Sequence, residues 1–325
     1  ERQKIYIIKD VRIYKAPMLL TRKGLDMNKL TVKNAIARKD MLFKDGITSV
    51  KPLKNDGENV LFNLSAILSS NLFTYYAINT FVSIGIEREQ VQNYNKFSLP
   101  YIKLNVAENI GKIEELKKEL YKVKKQTLVD DFKVNELDNV INSQLEVINQ
   151  SVLNEININE TEQALLDYAL EINRTIIVGN DNEKNKIFTK LSFNDSYLEN
   201  YAQLFLDRFQ PSLNNENRKF IVEIWHTNQI IGMLFKVVLI NEFQRDIIWI
   251  NKQKEDNILS FLINVSSEKI TDKLFVQKDI RGFEIKDDYF YIFKPNERRL
   301  WHRAIGATDV QEFSDAILKA GRLGR

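Results

Sequence analysis

This chain holds few of the side chains that make and break covalent bonds. His226 and His302 are its two histidines, and it has no cysteine. A Ser/His/Asp triad or a histidine-based metal centre would need both rings with partners, and the two do not stand at ligand spacing. Without cysteine there is no disulfide, thiolate nucleophile or cysteine-ligated zinc. None of the eleven glycines forms a Gly-x-Gly, so a Rossmann-type nucleotide loop is absent. Gly111-Lys112 runs into Ile113 without the rest of a phosphate loop. Carboxylates such as Glu223 and Asp207 are plentiful, but spacing alone pairs none of them for acid–base work.

Two clusters remain. Glu284-Ile285-Lys286, with Asp279 upstream, has the acid-x-Lys form used by metal-dependent nucleases. A strand with Phe283 and Ile285 inward and Glu284 and Lys286 outward accounts for it without chemistry. In Lys294–Arg303 (KPNERRLWHR), Lys294, Arg298, Arg299 and Arg303 form a possible second basic patch able to hold phosphates, with Trp301 stacking on a base or sugar. The competing expectation makes Trp301 core and the arginines partners of nearby acids. No catalytic set emerges and no metal site is expected.

Charge is distributed unevenly behind a formal net of +3. Residues 1–54 carry 14 Lys/Arg against 5 Asp/Glu, whereas residues 126–200 carry 5 against 14. A basic block and an acidic block argue for separate modules, the basic one a candidate surface for a polyanion. A merely solvated lysine-rich surface is the alternative.

The elements that must position these groups read as α+β. Residues 4–20 alternate as one or two strands, with Pro17 at an edge or strand start. Lys33–Leu42 and Ile47–Leu53 read as further strands around the Lys44-Asp45-Gly46 turn. The stripe Leu61, Leu64, Leu68, Leu72, Tyr75 and Val82 predicts one spine helix over Leu61–Phe81. A polar connector and a short strand ending at Leu99-Pro100 follow. Apolar positions from Val106 to Val123 predict a long helix, either a coiled-coil arm or one packed on a neighbouring domain. Helices are also predicted over Val134–Val152 and, with Asn159 and Glu162 as a capping box, through Ile172. Asn180–Lys186 is the expected linker. Beyond it, helices over Tyr197–Phe209, Asp256–Val265 and Asp309–Ala320 accompany strands at Phe220–Thr227, Gly232–Leu239, Asp246–Ile250, Lys273–Ile285 and Tyr289–Lys294. This pattern predicts a C-terminal α+β domain on a mainly antiparallel sheet.

Three regions follow: a mixed, β-rich domain over 1–105 with a spine helix, a helical connector over 106–180, and an α+β domain of unassigned role over 187–325. At 325 residues the chain is long enough for each domain to have its own core, and 44% hydrophobic content marks it as globular. No run of about 18 apolar residues exists and no signal peptide opens the chain, so no membrane partner is expected and a cytoplasmic setting is the default. A start at Glu1 inside a strand-like segment suggests a fragment of a larger polypeptide.

Residues 4–104 carry an ordered series of features: a proline followed by a basic Gly turn (APMLLTRKG), a strand pair around Asp-Gly (MLFKDGITSV), and an apolar helix. The core of that helix comprises Leu68, Ser69, Ser70, Leu72, Phe73, Tyr75 and Tyr76. Leu99-Pro100 and a long Lys/Glu-rich helix come next. This series resembles the target-recognition domain of adenine-specific DNA methyltransferases, in particular the TaqI-like C-terminal specificity domain of type IIG restriction–modification enzymes and, more distantly, type I specificity subunits. The resemblance covers about a third of the chain. It implies a partner, double-stranded DNA, entered in its major groove by strands and loops flanking the helix. It also implies an N-terminal methyltransferase domain of the same polypeptide, absent here, that uses S-adenosylmethionine. The catalytic Asn/Asp-Pro-Pro-aromatic motif cannot occur in this chain, since none of its prolines are adjacent.

Such a domain needs phosphate contacts for register and side chains at base edges for specificity. The DNA-binding candidates are Arg12, Lys15, Arg22, Lys23, Arg38, Lys39, Lys44, Thr48 and Ser49 before the helix, with Arg88, Gln90 and Gln92 after it. The alternatives are an assembly module of a DNA-defence complex, docking through the helices from Val106 to Ile172, and a metal-dependent nuclease in the C-terminal domain.

Overall fold

Buried Met18, Leu19, Thr21 and Leu25 share one strand, β1 (Met18–Asp26), which forms the centre of the first sheet. A computed structural model describes residues 11–52, 57–81, 84, 91–126, 130–250, 280–284 and 289–323. The chain is α+β and divides into two compact units, Glu1–Asn180 and Asp181–Arg325.

In the first unit β2 (Thr31–Ala37) and β3 (Ile47–Val50) pair antiparallel with β1 in the order β2-β1-β3. Pro17 immediately precedes β1, where a missing N–H breaks no ladder bond. Residues 4–10 lie outside the described residues. The predicted single spine helix is instead two, α1 (Asn59–Ser69) and α2 (Asn71–Thr80). Ser70 divides them: its backbone is extended, and its hydroxyl donates to the Ile67 carbonyl at 2.7 Å and accepts from Phe73 N at 3.2 Å. A serine that caps the next helix supplies an acceptor to an otherwise unpaired N–H, and this favours the break.

No strand precedes Leu99-Pro100 among the described residues. A single helical turn, α3 (Asn93–Lys96), stands there, closed by Phe97 N donating to Asn93 O at 3.1 Å. Helices α4 (Ala107–Lys124) and α5 (Asp131–Ile156) follow. Ile110, Ile113, Ile141, Ile148 and Val152 share one core with Leu19, Val32, Leu61 and Phe73. The residues expected to form a connector therefore help build the first unit. The capping box of α6 (Glu160–Tyr168) is present, with Glu162 N to Asn159 Oδ1 at 2.9 Å and Asn159 N to Glu162 Oε2 at 2.8 Å. A π-helical turn, Ala169–Asn173, leads from α6 into α7 (Arg174–Val178).

The expected linker opens the second unit as a helix, α8 (Asp181–Ile187). Asp181 and Glu183 in its first turn and Lys184 and Lys186 in its last complement the helix dipole. Buried Ile187 supplies an apolar contact that a linker would lack. Helix α9 (Ser196–Leu213) precedes β4 (Arg218–His226), β5 (Ile230–Leu239) and β6 (Ile247–Ile250), and then β7 (Ile280–Glu284) and β8 (Tyr289–Pro295). The described strands lie in the order β6-β4-β5-β8-β7, antiparallel except for β6 beside β4. A last helix, α10 (Arg303–Leu323), closes the unit. Phe220, Val222, Phe235, Phe290 and Ile292 from one sheet face share a core with Phe205 and Phe209 of α9 and Phe313 of α10. The helix predicted over Asp256–Val265 lies outside the described residues, and of the strand predicted over Lys273–Ile285 only Ile280–Glu284 is described, as β7.

Gly232 pairs opposite Phe293 in β8, and a Cβ at this glycine would meet the ring at 2.1 Å. Gly232→Ala is expected to destabilise the second unit by about 1–3 kcal/mol, an overpacking cost. Its three tryptophans, Trp225, Trp249 and Trp301, are the only ones in the chain, so denaturation followed by their fluorescence reads this unit selectively.

Candidate nucleic-acid interface

One end of the first sheet brings three sequence-distant segments together. The pairing of β1 with β2 shifts register between Thr21 and Leu25, which places an irregularity at Arg22, Lys23 and Gly24. Such a distortion re-aims side chains and releases backbone groups from the ladder. Here the released groups are taken up elsewhere. Lys23 N donates to Gly46 O at 2.9 Å, and Val91 N donates to Lys23 O at 3.0 Å. Lys96 Nζ donates to Arg22 O at 3.0 Å, and Thr48 Oγ1 to Asn93 Oδ1 at 3.3 Å. The irregularity in β1, the Lys44–Ile47 turn and residues 91–96 are thus joined by main-chain and side-chain hydrogen bonds.

Lys96 is the least expected member of this set. Only 1% exposed, its amine is held at about 8 by burial and, secondarily, by the charge of Lys23. Between pH 8 and the ordinary lysine value of 10.5 the unfolded chain binds the proton that the folded one has released. Stability contributed by this group therefore rises with pH across that window. The stability difference between wild type and Lys96→Met is expected to move in favour of wild type as pH rises through it, as urea denaturation at a series of pH values would show.

Arg22 and Lys44 are exposed, and Lys23 and Thr48 are half-buried. Ser49 is half-buried opposite Leu20 in the β1–β3 pairing, and Gln92 is exposed beside buried Val91. Arg88 and Gln90 lie outside the described residues. Among the described residues no carboxylate lies within ion-pair distance of Arg22, Lys23, Lys39 or Lys44. Lys15 and Arg38 differ. Lys15 pairs with Asp40 at 2.8 Å, a hydrogen bond that raises the amine and lowers the carboxyl. Arg38 reaches Glu114 of α4 at 2.8 Å and Glu58 at 3.5 Å, and its guanidinium lies 5.6 Å from the Phe62 ring centre. The hydrogen bond to Glu114 raises Arg38 above its ordinary value. These contacts tie the end of β2 to two helices and occupy the donors that guanine recognition would use. Arg12 stands exposed in the 3-10 turn Val11–Tyr14.

The predicted second basic patch is divided by burial. Lys294 is 3% exposed, and its amine is bonded to Asp309 and, at 3.2 Å and 3.3 Å, to Tyr201 Oη and Leu300 O. It cannot hold a phosphate at the surface. Trp301 is fully buried in the core, its indole N–H donating to Pro295 O at 3.1 Å, so base stacking is excluded as well. Arg298 lies 4.4 Å from the Tyr197 ring centre, and Arg299 pairs with Glu297 at 2.8 Å. Arg303 is exposed at the start of α10.

Among the described residues no cluster of three or more His, Asp or Glu side chains is arranged to hold a metal, and no helix is long and apolar enough to cross a membrane. Asp279, Ile285 and Lys286 of the acid-x-Lys element lie outside the described residues. Sequence reasoning missed Lys96 and Asn93, whose roles depend on contacts with β1 and β3 that no local pattern announces. No family model, curated protein or solved structure matches this chain.

Proposed function

We propose that the first unit contains the sequence-reading domain of an adenine-specific DNA methyltransferase of a restriction–modification system, and that this chain binds duplex DNA and does no chemistry itself. The observation that carries this reading is a set of four cations, Arg22 and Lys23 within β1 and Lys39 and Lys44 between β2 and β3, that have no carboxylate in ion-pair distance among the described residues, with Thr48 of β3 and exposed Gln92 joined to the same sheet by the bonds above. Cations without protein partners are available to phosphates or guanine edges, and hydroxyl and amide groups nearby suit base-edge hydrogen bonding. Hydrogen bonds fix the backbone beneath these side chains, which reduces the ordering cost of binding. Under this reading methyl transfer, and the S-adenosylmethionine it consumes, belong to a catalytic domain outside this chain.

Fluorescence anisotropy with a random-sequence duplex tests the idea. Binding at low salt should weaken linearly with log salt, with a slope of about −0.9 per phosphate neutralised. Repeated selection from a random duplex pool should then enrich a defined sequence. Absence of binding at low salt would sink the reading.

One observation favours an assembly role for the helices. Tyr121 at the end of α4 and Phe132 at the start of α5 are 60% and 82% exposed. Contiguous exposed apolar surface is a common site of protein contact. Light scattering and pull-down against proteins encoded beside this one would read that role separately from DNA binding.

A further inference from the structure

The segment between β2 and β3 holds two large apolar side chains out into solvent on a constrained backbone. Leu42 is 86% exposed and Met41 is 48% exposed. Neighbouring contacts pin the segment that carries them. Met41 N donates to Tyr14 O at 3.1 Å, and Ala16 N donates to Asp40 Oδ1 at 2.9 Å. The Phe43 ring packs 4.9 Å from that of Tyr14, and Ile47 N donates to Lys44 O at 3.1 Å. Val11, Tyr14, Met41, Leu42 and Phe43 line an open cleft of about 910 Å³.

The segment reads Lys39-Asp40-Met41-Leu42-Phe43-Lys44-Asp45, and Asp40 is already taken by Lys15 at 2.8 Å. Lys39 and Lys44 flank Met41 and Leu42 in sequence, both exposed and without a carboxylate in ion-pair distance among the described residues. An apolar tip between two cations that no described carboxylate neutralises suits a partner with an apolar, stackable interior and an anionic edge. Duplex DNA has this layout: stacked bases between phosphate chains. Methionine and leucine are among the side chains that proteins insert at base steps, unstacking them in part and kinking the duplex. The energetic penalty depends on the step being opened, so insertion confers sequence preference without a hydrogen bond to a base.

We infer that Met41 and Leu42 form an apolar wedge that enters duplex DNA at a base step, with Lys39 and Lys44 on the flanking phosphates. This rests on the duplex-binding reading above and adds to it a mode of recognition. The wedge selects a deformable step, whereas Arg22, Thr48 and Gln92 lie where hydrogen bonds to base edges are made.

The test uses the full chain and a duplex carrying the sequence it enriches from a random pool, with 2-aminopurine placed at each purine in turn. Wild-type binding should raise the fluorescence severalfold at one step, as a base loses its stacked neighbour. Met41→Ser with Leu42→Ser should still bind with an unchanged salt slope, but without the fluorescence rise and with about tenfold weaker enrichment of the preferred sequence. Leu42→Phe, with Met41 retained, should keep the rise. An unchanged rise in the double serine variant, or duplex binding by wild type with no rise at any position, overturns the wedge and leaves duplex binding standing. Loss of self-association in the serine variant with DNA behaviour unaltered would assign the pair to contact with a second copy, also overturning it. No duplex binding by wild type removes both the wedge and the reading on which it rests.

Discussion

Replacing Asp309 with alanine is expected to destabilise the second unit by about 3–5 kcal/mol, the usual consequence of leaving a buried charge without its partner. Asp309 is 2% exposed and Lys294 is 3% exposed, and the carboxylate accepts from both the Lys294 amine and the Tyr201 hydroxyl. Lys294 belongs to β8, Tyr201 to α9 and Asp309 to α10, so one polar cluster ties the sheet to both helices that cover it. The amine also lies 5.1 Å from the Tyr201 ring centre and 5.5 Å from that of Trp301. After Asp309→Ala that cation keeps the Leu300 carbonyl, a neutral hydroxyl and two ring faces, which do not replace a carboxylate.

Lys294→Met with Asp309→Leu should behave differently. Both charges leave together, the volume is largely kept, and the double variant is expected to lie near wild type or above it. Guanidinium denaturation followed by tryptophan fluorescence measures this unit, and far-UV circular dichroism follows both. A double variant as unstable as Asp309→Ala would show that packing at these positions, and not the charge pair, sets the stability. Because the two units need not unfold together, the fluorescence transition is the one to be fitted.

The second large effect concerns binding. Arg22→Glu, Lys23→Glu and Lys44→Glu together are expected to weaken duplex binding by at least about 100-fold near 0.1 M salt and to flatten the salt slope by roughly 0.9 for each lost phosphate contact. The fold should survive, because none of the three cations makes an ion pair among the described residues. A control is built into the same variant. The Lys23 charge helps push Lys96 down to about 8, so its reversal should raise the Lys96 amine while leaving its hydrogen bond to the Arg22 carbonyl in place. By contrast, Arg38→Glu should chiefly cost stability, since it sets a third carboxylate beside Glu114 and Glu58. If the triple reversal leaves DNA binding unaltered while the protein stays folded, this end of the sheet is not the interface.

Local pattern by itself determined much of this protein. The alternation over Phe220–Thr227 that becomes β4, the capping pair Asn159 and Glu162, and the three- and four-residue spacing in Ala107–Lys124 act within a few residues of each other, whereas the basic turn expected at Thr21–Gly24 is instead the irregular middle of β1. Their outcomes are visible before any tertiary contact is known, and so is the α+β class. Ser70 marks the margin of such reading. The apolar stripe runs through it unbroken, yet a hydroxyl that pairs with both Ile67 and Phe73 favours a break.

Only the tertiary structure decided which charges are available. In sequence, Arg22 and Arg38 are equivalent basic residues near turns, and Lys294 and Arg298 are neighbours in one basic run. Folding sets Arg38 against Glu114, 76 residues away in the chain, and buries Lys294 with Asp309, while it leaves Arg22 in solvent. The same applies to Lys96, whose amine finds the Arg22 carbonyl across 74 residues. A charge has no function until its partner and its solvent are known, and both are set by contacts between elements that are remote in sequence.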